Sequence, residues 1–216
     1  MQSAPDQRPA AKFFMSITAI TAWAALALQQ YILIDNTPGN GMTPLQAVGR
    51  FLIFFTVLSN ILVAVSLTTV LLKPASAAGR FFVKPSNIAA VILYIFVVGL
   101  VYNVILRSIW HPTGRDRVAD ELLHVAVPLL FILYFIFFAP KAWLPWKQVF
   151  SWMIFPAAYL IYALLRGAAE GFYAYPFLDL RVLGTAKVAM NIALMMVVFI
   201  FFGLIIIAYC RSVKKK

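Results

Sequence analysis

Cysteine, histidine and carboxylates are all scarce in this chain, and each scarcity excludes something. The lone Cys210 rules out an internal disulfide. Only His111 and His124 are present, with one distant cysteine, which argues against a His-rich metal site. No Asp or Glu falls in the middle of an apolar stretch, which argues against a carboxylate-coupled proton transporter. The middle of the last apolar stretch holds no lysine, so a retinal Schiff base has no attachment point. Phosphate-binding and dinucleotide fingerprints are absent, as are internal repeats. No cofactor and no bound metal are expected.

Apolar side chains are abundant instead. Hydrophobic residues make up 63% of the 216 and charged residues 12%, so the solvent for most of the chain is lipid. A hydrocarbon core of about 30 Å takes roughly 20 apolar residues per helix. The sequence predicts spans at Phe13–Ile34, Val48–Leu72, Ile88–Leu106, Glu121–Phe138, Gln148–Leu165 and Val188–Tyr209. Runs this long and unbroken are helices rather than the short alternating strands of a barrel. The expected fold is all-α, a polytopic six-transmembrane-helix bundle forming one domain over 1–216, with no room for a separate soluble catalytic domain. The first apolar run is too long for a signal peptide and is expected to remain as a helix.

The charges sort with the connections. Eleven Lys and Arg lie in the N-terminus, the 73–87 and 139–147 loops and the C-terminal tail, opposed by Asp6 alone, a net of +10. The other three connections hold seven basic residues against six acids, a net of +1. By the positive-inside bias both termini are expected to be cytoplasmic. The basic residues flank spans, so nucleic acid is not an expected partner; Lys214, Lys215 and Lys216 suit anionic head groups. Every carboxylate close to a span except Asp6 falls on the outer side. The long outer connection over 166–187 is a candidate lid.

Polar residues within the spans gather toward that outer side. Thr56, Ser59 and Asn60 share one helical face; Gly99, Tyr102, Asn103 and Arg107 form a stripe on the third span. The fourth span opens Asp120-Glu121-Leu122-Leu123-His124, and the sixth carries Asn191 one turn after Lys187. Thr56 lies roughly 9–12 Å below the outer start of its helix. Pro128 removes the amide that would bond the His124 carbonyl, and Pro156 does the same to Trp152. Histidine is the side chain whose ordinary pKa suits proton transfer near neutrality. A hydroxyl nucleophile (Thr56 or Ser59) with His124 as base would need an orienting carboxylate, Asp120 or Glu121. Asn103, Asn191, Tyr102 or Arg107 could donate to an oxyanion. The bland readings are hydroxyls bonding their own helix, asparagines gluing helices, and Arg107 snorkelling.

The run Arg50-Phe51-Leu52-Ile53-Phe54-Phe55-Thr56-Val57-Leu58-Ser59-Asn60 resembles the second helix of a family of small six-span membrane proteins. Leu122-Leu123-His124 followed by Pro128, and Tyr175-Pro176-Phe177-Leu178, fit as well. The animal relatives are the androgen-induced and androgen-dependent TFPI-regulating proteins. That resemblance implies an intramembrane threonine hydrolase of fatty acid esters of hydroxy fatty acids, with Thr56 as nucleophile and His124 as base. Ser59-Asn60 departs from the animal pattern, as does the four-residue step from His124 to Pro128, and Ser59 stays a rival nucleophile. The expected function is hydrolysis of a lipid-like ester, with a lipid or fatty-acyl substrate; the alternative is a non-catalytic lipid-binding or small-molecule carrier.

Overall fold

A computed structural model describes residues 8–213. Asp6, Lys214, Lys215 and Lys216 lie outside the described residues, and with them the lone inner acid and the basic tail. The described residues are helical, without strands, and six helices are long and apolar enough to cross a membrane. The protein is an integral, multi-pass membrane protein. The chain divides into two compact units, Met1–Ala142 and Trp143–Lys216.

The first unit begins with α1 (Pro9–Asp35), whose Pro9 sits at the first helical position, where a missing amide costs nothing. Its buried residues Ala11, Met15, Thr18, Ala22, Ala25 and Leu26 recur every three or four positions and make one face. Small side chains there let α1 approach α4 (Phe55–Leu72), which buries Ser59, Asn60, Val63, Ala64 and Leu67. Between them come the short α2 (Thr37–Asn40) and α3 (Pro44–Leu52), the latter opened by a capping box of Thr43 and Gln46.

The expected second span over Val48–Leu72 is therefore not one helix. It breaks at Ile53 and Phe54, where Phe54 is extended (φ −87°, ψ 129°). No glycine or proline marks the break. Phe51, Ile53 and Phe55 are all buried while Leu52 and Phe54 are less so. Ile53 keeps helical φ/ψ, so the single extended residue Phe54 resets the helical phase between α3 and α4 and lets all three be buried.

The unit continues through α5 (Ala77–Phe82) and α6 (Pro85–Val104) to α7 (Gly114–Glu121). From α7 the chain runs into a π-helical segment, Leu122–Ala126, and then α8 (Val127–Phe137). The fourth span is thus longer than expected, reaching back to Gly114. Pro128 falls in the first turn of α8, just after the π-helical turn, so its missing amide is absorbed at a register change.

The second unit holds α9 (Gln148–Trp152), α10 (Ile154–Glu170) and α11 (Leu180–Val213). Pro156 lies in the first turn of α10, and the predicted defect at Trp152 becomes a turn at Met153. α11 extends beyond the expected Val188–Tyr209 at both ends and is interrupted at Gly184, whose φ of 71° and ψ of 167° suit glycine alone.

Candidate active site

Thr56 is the second residue of α4, so the helix break puts it in a first turn rather than mid-helix. The ladder of α4 starts with the Leu58 amide donating to the Phe54 carbonyl at 3.2 Å, and the positive end of the helix dipole lies at Thr56. Two other hydroxyls of α4 do what hydroxyls in membrane helices usually do: Ser66 donates to Val63 O at 2.9 Å and Thr69 to Val65 O at 2.8 Å. Thr56 differs in reaching another helix. Its Oγ1 is 3.2 Å from Nε2 of His124, across 68 residues of sequence.

His124 stands in the π-helical segment, and its Nδ1 faces two acceptors on the preceding turn. The Asp120 carbonyl is 2.9 Å away and Asp120 Oδ1 3.2 Å away. Two acceptors at Nδ1 require the proton there, leaving the Nε2 lone pair turned to Thr56. Asp120 is buried, with 8% exposure, and its Oδ2 accepts from the Tyr102 hydroxyl. The Tyr102 ring also stacks on the imidazole, centroids 4.1 Å apart and planes at 16°. Thr56, His124 and Asp120 thus form a chain of hydroxyl–imidazole–carboxylate contacts, and Tyr102 touches both of its last two members.

The remaining residues divide by what they touch. Glu121 does not serve the imidazole; it takes Arg107 Nη2 at 2.8 and 2.7 Å, and Arg107 lies 5.2 Å above the Tyr102 ring. Asn60 binds the site's two elements together, its amide donating to Thr56 O at 2.8 Å and Leu123 O at 3.2 Å. Asn103 donates to Gly99 O at 2.8 Å and stands 3.5 Å from His124 O. Ser59 is fully buried one turn from Thr56, and its Oγ has no hydrogen-bond partner. Asn191 belongs to the second unit, where its amide donates to Phe177 O at 2.9 Å.

Gly99 sits at a close approach of α6 to the fourth span. A Cβ there would stand 3.2 Å from Pro128 Cβ and 3.3 Å from the His124 carbonyl oxygen. The carbonyl that Pro128 deprives of its amide is thereby packed against α6.

The expected lid over 166–187 is mostly helix; 171–179 joins α10 to α11 and includes a 3₁₀ turn at Pro176–Leu178. Gly171 ends α10 in the left-handed conformation, and its carbonyl accepts from Arg181. The Arg181 guanidinium, with Nη2 2.6 Å from Asp179 Oδ2, holds the Asp179 carboxyl below its usual range.

The stripe of Gly99, Tyr102 and Asn103 drew attention in the sequence, but Tyr102 serves as a support for Asp120 and His124 rather than an oxyanion donor. No sequence signal marked the helix break that puts Thr56 in a first turn. Among the described residues no cluster of His, Cys, Asp and Glu could hold a metal ion. No protein-family model, no curated protein and no solved structure matches this chain, so the site rests on its own residues.

Proposed function

We propose that this protein is an integral membrane hydrolase that cleaves a lipid-like ester, such as a fatty acid ester of a hydroxy fatty acid. One observation carries the reading: Thr56 Oγ1 lies 3.2 Å from a histidine nitrogen whose opposite nitrogen is held by Asp120. A nucleophile, a base and a group that orients the base are the parts acyl transfer needs. The resemblance of the Thr56 and His124 segments to the intramembrane threonine hydrolases points the same way.

Thr56 Oγ1 attacks the ester carbonyl while His124 Nε2 takes its proton. The positive end of α4 favours the negative charge that develops on the carbonyl oxygen. Collapse expels the alcohol, which leaves with the proton from His124. Water then attacks the acyl-threonine with His124 again as base, releasing a carboxylic acid and restoring Thr56. Asp120 keeps the proton on Nδ1 and balances the imidazolium. By the charge bias the termini are cytoplasmic and the site opens to the outer side, and the resemblance points to a bacterial inner membrane.

A fluorophosphonate probe tests the reading on purified protein in detergent. Labelling is expected for the parent and for Ser59→Ala, and should vanish in Thr56→Ala and in His124→Ala. Folded parent that takes no label, or label indifferent to Thr56, would overturn the hydrolase and leave a lipid carrier.

A further inference from the structure

We infer that the second unit carries a phospholipid head-group site at Arg211, independent of the chemistry at Thr56. The Arg211 guanidinium lies 4.0 Å from the centre of the Trp143 ring and 4.7 Å from that of Trp146. Its Nη1 donates to the Leu144 carbonyl at 3.3 Å. The cation is thus fixed from three sides by one short segment, at the end of α11.

Among the described residues no carboxylate pairs with Arg211. Among the described residues of the second unit the carboxylates are Glu170 and Asp179, at the C-terminal end of α10 and just before α11. Each already has an arginine, Arg166 for Glu170 and Arg181 for Asp179. Arg107 and Arg115 likewise pair with acids, Glu121 and Asp35. Arg211 has aromatic faces and a carbonyl instead.

A guanidinium that lies over indole rings keeps its in-plane N–H edge for a further acceptor. Nη1 is committed to Leu144, which leaves Nε and Nη2. Two such parallel donors match the two oxygens of a phosphate. Trp146 is 49% exposed and Lys147 follows it, so the edge of the cage is both amphipathic and basic. Tryptophan favours the level of the head groups. The chemistry that fits is a phosphodiester anion at the membrane surface, hence an anionic phospholipid.

Native mass spectrometry of the full chain in detergent tests this, with phosphatidylglycerol against phosphatidylcholine of the same acyl chains. One saturable phosphatidylglycerol is expected, weakened about fivefold by Arg211→Gln. Arg211→Lys, which keeps the charge but loses the planar fork, should weaken binding as well, and it safeguards the test if the glutamine variant fails to fold. Lys147→Gln should matter less than either. Equal binding of the two lipids, or equal loss from Lys147→Gln and Arg211→Gln, would overturn the site in favour of diffuse charge attraction. Displacement of the lipid by inorganic phosphate at similar concentration would overturn the head-group assignment.

Discussion

His124 is constrained on each side that matters for proton transfer. Its Nδ1 faces two oxygens of Asp120, its ring lies on Tyr102, and its Nε2 faces Thr56. The nearer oxygen is the main-chain carbonyl, which sets the tautomer, and the carboxylate adds the negative charge. In Asp120→Asn the backbone carbonyl still holds the ring proton on Nδ1, but the carboxylate charge that balances the imidazolium formed on taking the threonine proton is lost. Fluorophosphonate labelling is expected to slow on the order of 10²–10⁴-fold in that variant. Tyr102→Phe removes one hydrogen bond while keeping the stack, and should slow labelling only about fivefold. Parent-like labelling of folded Asp120→Asn would remove the carboxylate from the proposed mechanism.

At the scale of elements, two irregularities build the site. The break at Ile53 and Phe54 puts Thr56 in a first turn, and the π-helical turn before Pro128 places His124 against α4 and α6. Gly99 lets the second irregularity nest. Gly99→Val would push on the Pro128 ring and the His124 carbonyl, and is expected to cost about 1–3 kcal/mol. Thermal unfolding in detergent reads that cost, and probe labelling should slow in parallel. Gly39→Val is the control, since a Cβ at Gly39 meets nothing within 4 Å. Pro128 and Pro156 were visible as breaks in the sequence, whereas the break at Ile53 was not. It follows from how Phe51, Ile53 and Phe55 are buried, which depends on partners far along the chain.

For the whole molecule, the proposed orientation puts both ends of the chain on the cytoplasmic face. With Cys210→Ser as background, a cysteine replacing His111 should react with an impermeant maleimide added outside intact cells. A cysteine replacing Lys147 should react only after the membrane is opened. The reverse pattern would invert the orientation, and with it the side on which the proposed site opens.

Composition and run length by themselves determined that this chain is helical and crosses a membrane, because lipid leaves backbone groups no other partner. Helical spacing brought out Thr56, Ser59 and Asn60 as a face, and residue chemistry singled out His124. Asp120 and Glu121 remained interchangeable, since neighbours in sequence can point to different partners. Tertiary structure separated them, giving Glu121 to Arg107 and Asp120 to His124. It also distinguished Thr56 from Ser59, because only Thr56 has its oxygen within reach of the imidazole across 68 residues. That distance is a property of how α4 and the π-helical segment pack, and no local pattern encodes it.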